Sequence, residues 1–90
     1  MFVLVCYDIE DNKRRTRIHK ILRSFGEPIQ ESVFEIIGNE RQIGRMKRRI
    51  AKVILPPDKL RYYTLCEACR GKIEGTPNHP QVEEIRRVIL

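Results

Sequence analysis

The chain has 90 residues, of which 41% are hydrophobic and 33% are charged, and its formal net charge is +6. This length and composition indicate one folded domain with a small core and a tendency to oligomerise, and they exclude an intrinsically disordered chain. No apolar run approaches the roughly 18 residues of a membrane span, and the N-terminus has no secretory leader pattern. We therefore expect no membrane partner and a cytoplasmic location.

The charge and the cysteines narrow the function classes. The positive excess is mostly arginine and gives a pI near 9.6, which favours nucleic acid as a partner, with an acidic membrane surface as the second interpretation. A simply basic protein with solvated charges is the alternative. Three cysteines, Cys6, Cys66 and Cys69, are an odd number and argue against a disulfide framework.

The first element is a strand over residues 2–7. Its run of apolar, β-branched and aromatic residues predicts a central strand covered on both faces. Asp8 stands at the C-terminal end of this strand, and a polar turn follows in which Asp11 or Asn12 caps the next helix. A carboxylate placed there beside arginines is suited to hold a divalent metal against a phosphate. The other interpretation is that Asp8 only helps the chain to turn.

Residues 13–25 are expected to form an amphipathic helix that Gly26 stops. Arg14 and Arg15 continue the apolar stripe into the first turn and are directed at the end of the sheet where Asp8 lies. Buried arginines need acidic or phosphate partners. Salt bridges are the structural alternative, to Asp8, Glu10 or Asp11. The stripe itself consists of Ile18, Ile21, Leu22 and Phe25, and His19 is expected on the exposed side.

The remaining elements are two extended segments, a second helix and an uncertain C-terminal part. Pro28–Ile37 is either two short strands or one long bent strand, and residues 60–65 form a further strand. Between them, residues 39–54 form a helix with a capping box of Asn39 and Gln42. Its buried stripe is Ile43, Met46, Ile50 and Val53, and its exposed face carries Arg41, Arg45, Arg48, Arg49 and Lys52. Lys72-Ile73-Glu74 is a possible short strand.

This order of elements predicts an α+β fold of the ferredoxin-like (split βαβ) type, with two helices on one face of an antiparallel sheet. We expect nothing in the chain to cover the other face, which points to a homodimer through that face. Residues 1–75 form the domain. Residues 76–90 are a C-terminal extension that we expect to dock on the partner protomer.

The candidate chemistry is metal-assisted attack on a phosphodiester. Mg²⁺ prefers oxygen ligands and often takes one or two carboxylates from the protein. One chain offers Asp8, and two copies across a two-fold axis would share one ion that activates water while arginines hold the phosphates. The basic helix faces are suited to a duplex backbone, with solvated faces as the alternative. The pair Cys66 and Cys69 has too few partners for zinc, and packing near a turn is the preferred interpretation.

Several of these segments, taken together, resemble one family. They are Tyr7-Asp8-Ile9, Lys13-Arg14-Arg15-Thr16-Arg17, Gly26, Gln30-Glu31-Ser32-Val33-Phe34-Glu35 and Arg61-Tyr62-Tyr63-Thr64-Leu65. Over residues 1 to about 74 the chain is similar to CRISPR-associated protein 2, the small member of the spacer-acquisition machinery.

The resemblance implies a ferredoxin-like homodimer that acts as a Mg²⁺-dependent endonuclease on single-stranded RNA or double-stranded DNA. It implies a metal-binding and catalytic role for Asp8, and a part in the same activity for Arg15, Arg17 and Phe34. It also implies that the dimer bridges dimers of the CRISPR integrase along DNA. Residues 76–90 follow no pattern of the family.

Three hypotheses follow. The first is an endonuclease-like homodimer that assists spacer integration in CRISPR adaptation, with Asp8 of both protomers sharing Mg²⁺. The second is a non-catalytic DNA-binding scaffold between integrase dimers, and the third is a basic regulatory domain that binds RNA. The expected nucleic-acid-binding residues are Arg14, Arg15, Arg17, Phe34, Arg45, Arg48 and Arg49.

Overall fold

The computed structural model describes residues 1–74. The elements are β1 (Phe2–Asp8), α1 (Asn12–Arg23), β2 (Gly26–Gln30), β3 (Val33–Ile37), α2 (Glu40–Ala51), β4 (Lys59–Leu65) and α3 (Glu67–Arg70). No helix within the described part of the chain is long and apolar enough to cross a membrane. The extension predicted at 76–90 lies outside the described residues.

The four strands form one antiparallel sheet in the order β2-β3-β1-β4. β1 is central and pairs with β3 on one side and with β4 on the other. The sequential strands β2 and β3 form a hairpin, which decides the open question between two short strands and one bent strand. The ferredoxin-like architecture predicted from the order of elements is confirmed.

The core lies between the sheet and the two long helices. Alternation along β1 directs Val3, Val5 and Tyr7 to this side, where all three are buried. The helices contribute the predicted stripes, namely Ile18, Ile21 and Leu22 from α1, and Ile43, Met46 and Ile50 with the following Val53 from α2. Burial of each such side chain stabilises the fold by about 1.5–3 kcal/mol.

The other side of the sheet carries the alternate residues of β1. Leu4 and Cys6 are only half-buried there, and Ile37 and Tyr63 beside them are 51% and 43% exposed. Phe2 is buried, with the Arg70 guanidinium carbon 5.4 Å from its ring centroid. Coverage of β1 on both faces is therefore incomplete within residues 1–74, and this surface, the open face, is the one that the predicted homodimer would use.

The ends of α1 differ in part from expectation. Asp11 is the N-cap, since its carboxylate accepts a hydrogen bond from the Arg14 backbone N–H at 2.9 Å. The helix ends at Arg23 with Ser24 as C-cap, so the prediction that Gly26 stops it was wrong. Gly26 instead begins β2, where a Cβ atom would lie 2.2 Å from the Glu35 carbonyl oxygen of β3. The close approach of two strands explains this glycine.

Two further predictions concern α2 and the chain after β4. The capping box of Asn39 and Gln42 is confirmed, with both reciprocal hydrogen bonds present at 2.8 and 2.9 Å. The possible strand over residues 72–74 is wrong, because this stretch is a turn followed by irregular chain after the short helix α3.

Candidate functional site

Asp8 is the last residue of β1, and its side chain is exposed. Alternation from Leu4 and Cys6 places it on the open face, at the end of the central strand. Its cross-strand neighbour on β4 is Lys59, which is also exposed. The sequence therefore brings a carboxylate and an ammonium group together at one end of the open face.

Arg14 lies near this end of the sheet, as its place in the helix predicted, but its main partner is Asp58. The guanidinium Nε and Nη2 donate to the two Asp58 carboxylate oxygens at 2.7 and 3.0 Å, a bidentate pair. The Asp58 side chain is 2% exposed and also accepts from the Leu55 backbone N–H at 3.1 Å. The Arg14 hydrogen bonds lower the pKa of the Asp58 carboxyl, and they raise the pKa of Arg14 in turn.

This pair ties the first turn of α1 to the residue directly before β4. The alternatives from sequence were salt bridges of Arg14 to Asp8, Glu10 or Asp11, and Asp11 is a distant second partner at 3.9 Å. The pair orients the start of β4, where Lys59 faces Asp8. A direct contact of Arg14 with nucleic acid stays a prediction.

Arg15 holds the chain that follows β1. Its Nη1 donates to the carbonyl oxygens of Ile9 and Glu10 at 3.0 and 3.3 Å, and its Nη2 donates to Asn12 Oδ1. Arg15 and Asp8 both line a concavity of about 280 Å³, with Tyr7 and Glu31 also in its lining. One cationic residue and two carboxylate residues, Asp8 and Glu31, therefore line the same small space.

The donor set of one chain fits Mg²⁺ only in part. Within residues 1–74 no three His, Cys, Asp or Glu side chains come together as metal ligands. The exposed carboxylate of Asp8 has the hard oxygen donors that Mg²⁺ selects, and Mg²⁺ commonly needs only one or two such groups because it keeps several waters.

Phe34 does not lie on the surface. It is 0% exposed, stacks on Tyr7 with centroids 6.4 Å apart, and meets the His19 ring edge-on at 5.1 Å. A direct contact of this ring with nucleic acid, which was expected from the sequence, is incompatible with its burial. Phe34 supports Tyr7 and His19 from beneath.

The basic helix residues lie on the side of the sheet opposite Asp8. Arg17, Arg45, Arg48 and Arg49 are all exposed. Within the described chain the first three make no hydrogen bond or ion pair, and Arg49 lies over the Phe25 ring at 5.7 Å. These cations are available to a polyanion, and their role in binding stays a prediction.

Three residues near the site were missed from sequence. His19, expected on the exposed side, is half-buried, and its Nδ1 lies 3.4 Å from the Tyr7 hydroxyl. On the open face, Lys59 is the cross-strand neighbour of Asp8, and Arg61 is the cross-strand neighbour of Cys6. The alternation of Leu60 and Tyr62 with these basic residues was the available signal for them.

Cys66 and Cys69 belong to the short helix α3. Cys66 is its N-cap, and its Sγ accepts from the Cys69 backbone N–H at 3.4 Å, which lowers the pKa of the Cys66 thiol. Both cysteines are exposed and unoxidised. The pair caps a turn, as the preferred interpretation from sequence held.

Comparison with known proteins identifies the family. Residues 1–73 match the family described as CRISPR associated protein Cas2. The CRISPR-associated endoribonuclease Cas2 of Mycobacterium tuberculosis is 43% identical over 65 residues, which are 72% of this chain and only 58% of that relative. The CRISPR-associated endoribonuclease Cas2 1 of Chloroflexus aurantiacus is 35% identical over 92 residues, covering 100% of this chain and 99% of the relative.

A solved structure agrees with these sequence matches. The crystal structure of Streptococcus pyogenes Cas2 at pH 6.5 has a TM-score of 0.74 and 28% identity, and the match covers 84% of this chain and 99% of that one. The resemblance recognised from the strand-end and hairpin segments is thereby confirmed, and the chain belongs to the CRISPR-associated Cas2 family.

Proposed function

We propose that the chain is an endonuclease-like, nucleic-acid-binding homodimer of CRISPR adaptation, with Asp8 of both protomers at its catalytic centre. The observation that carries the proposal is the exposed Asp8 carboxylate at the end of β1, beside Lys59 and Arg15. A carboxylate among cations is the donor set for a metal and a phosphate. The names of the two relatives above, both endoribonucleases, support hydrolysis of RNA.

The two copies of Asp8 would hold Mg²⁺, which when bound supplies an activated water and neutralises charge on a phosphodiester. The residues around Asp8 orient the substrate. Lys59 offers an ammonium group to a phosphate from the neighbouring strand, and Arg15, fixed by two carbonyl oxygens, offers a guanidinium from the helix side. The Arg14–Asp58 pair positions Lys59, because it anchors the residue directly before it.

The dimer is part of the proposal because one protomer supplies one carboxylate. Asp8 lies on the open face, which also exposes Ile37 and Tyr63. Pairing through that face would cover apolar surface and bring two rows of β1 side chains together across a two-fold axis. Light scattering at micromolar concentration is expected to give twice the chain mass, and a monomeric mass would contradict the shared site.

The test is cleavage of end-labelled single-stranded RNA and duplex DNA by wild type, Asp8→Asn and Glu10→Gln, each with Mg²⁺ or with EDTA. Glu10 is the matched control, since it is an exposed carboxylate two residues further on and the change removes the same charge. Loss of cleavage in Asp8→Asn and in EDTA, with Glu10→Gln active, supports the proposal. Equal cleavage by all three proteins would refute it.

A second candidate function is a non-catalytic scaffold for DNA between dimers of the CRISPR integrase. The exposed cations of α1 and α2 favour it, since they lie on the side of the sheet away from Asp8 and need no carboxylate. Duplex binding should then weaken steeply with salt. Replacement of Arg45 and Arg48 by Gln should reduce binding and its salt slope, whereas Asp8→Asn should leave both unchanged.

A further inference from the structure

A groove of about 470 Å³ lies between α1 and the β2–β3 hairpin. Arg15, Thr16 and His19 of α1 form one wall, and Pro28 and Ile29 of β2 form the other. A volume of this size is within the range of about 300–1,000 Å³ for small-molecule sites. Of the groups proposed above to hold phosphate and metal, only Arg15 lines this groove.

The chemistry of the lining is aromatic and apolar with a few polar groups. The half-buried ring of His19 and the aliphatic surface of Pro28 and Ile29 suit a flat, uncharged ring, and Tyr7 is buried at the base of the groove. The one cation, Arg15, already donates both Nη groups to the chain after β1.

Hydrogen bonding leaves His19 and Thr16 with unused capacity. The single Tyr7 hydroxyl proton is donated to the Glu31 carbonyl oxygen at 3.1 Å, so His19 Nδ1, 3.4 Å away, is the donor to that hydroxyl. Nε2 then carries a lone pair in the neutral ring. Neither Nε2 nor the Thr16 hydroxyl has a hydrogen-bond partner within residues 1–74. Both line the groove and are available to the polar edge of a ligand.

The groove adjoins the proposed site. Tyr7, Arg15 and Glu31 line both the groove and the smaller concavity that contains Asp8. A nucleotide whose phosphate lies beside Asp8 and Arg15 therefore has its neighbouring base at the mouth of the groove. Gln30, next to Glu31, also lines the groove, and its side-chain amide can donate and accept hydrogen bonds.

We propose that this groove binds one unpaired nucleobase of the strand held at Asp8, with stacking on the half-buried His19. This inference rests on the proposed function for the position of the strand, and it adds a base subsite to it. Bases within a duplex are stacked and paired, and would have to leave the helix to enter. The subsite therefore favours a strand that is unpaired beside the phosphate.

The proposal is tested by a substitution that fills the groove. Thr16→Trp places a large ring in it from an exposed helix position, and Thr64→Trp is the matched control at an exposed position of β4, the opposite edge of the sheet. Binding of a fluorescent single-stranded RNA is measured by anisotropy in EDTA. A second probe is the same ribose-phosphate chain without bases. Thermal melting by circular dichroism verifies that both variants are folded.

Stacking of a base on aromatic side chains is worth about 1–3 kcal/mol, so Thr16→Trp is expected to weaken RNA binding about ten-fold. It should leave binding of the abasic chain unchanged, and Thr64→Trp should change neither. Equal RNA binding by the two variants, or an equal loss for the abasic chain, would overturn the base subsite. Asp8→Asn separates the two proposals, since failure of cleavage chemistry leaves this binding comparison intact.

Discussion

Gly26 offers a sharp test of how β2 is held against β3. A methyl group on this residue would lie 2.2 Å from the Glu35 carbonyl oxygen, 2.5 Å from Ile36 Cδ1 and 3.0 Å from the Ile36 Cα atom. Two of these atoms belong to the backbone of β3, which also pairs with the central strand β1. The sheet must therefore shift to admit the methyl group. A side-chain rotation is not enough.

Overpacking of this kind costs about 1–3 kcal/mol, and the backbone contacts place Gly26→Ala at about 3 kcal/mol. Because 1 kcal/mol corresponds to roughly 4–8 °C in a domain of this size, the Tm should fall by roughly 15 °C. Urea unfolding followed by circular dichroism measures the free energy. All samples are kept at one protein concentration, since a dimer couples stability to concentration.

Gly44→Ala is the matched control. Gly44 lies within α2, and its added methyl group would meet only the Arg48 Nη1 atom, 3.3 Å away at the end of an exposed side chain. Alanine in a helix interior is more stable than glycine by about 0.5–1 kcal/mol, so this variant should gain stability. If Gly26→Ala were as stable as Gly44→Ala, the close-approach argument would be refuted.

Three further expectations follow from single contacts. Asn39→Ala removes the Asn39 side chain from the α2 capping box and should lower the free energy of unfolding in urea by about 1 kcal/mol. An unchanged free energy would show that this cap does not stabilise the protein. Phe34→Ala should cost about 3–5 kcal/mol, because the ring is fully buried, and a loss under 1 kcal/mol would show that the site collapses. The lowered pKa of Asp58 means that its ion pair with Arg14 stabilises the fold above the unfolded pKa of about 3.9 and loses this effect as pH falls through the folded value. Asp58→Asn should therefore flatten the dependence of unfolding free energy on pH below about pH 4, and an unchanged acid slope would contradict that assignment.

The sequence predicted those parts of the fold that depend on short-range periodicity. Ile18, Ile21 and Leu22 marked the buried side of α1 because helix residues three and four apart share a face. The position of Asp8 followed from the end of an apolar run. The Asn39 and Gln42 capping box is local in the same sense, as its two residues are three apart.

What escaped sequence analysis depends on contacts between distant segments. Arg14 and Asp58 are 44 residues apart, and no local pattern joins them before the sheet brings β4 beside β1. His19 lies off the apolar stripe, and it is partly covered because Tyr7 of β1 and Phe34 of β3 lie against it. Gly26 resembled a helix stop, since strand crowding and helix termination favour the same residue.

The alternation of β1 has a consequence for how the protein can change. Tyr7 points into the core and Asp8 points to the open face, so one strand supplies both through a period of two residues. A single-residue insertion or deletion inside β1 would exchange these roles and carry a charge into the interior. The exposure of Asp8 and the burial of Tyr7 therefore depend on the same register of β1. The surroundings of Asp8 can be altered from β4 or from the loop after β1 without this exchange of faces.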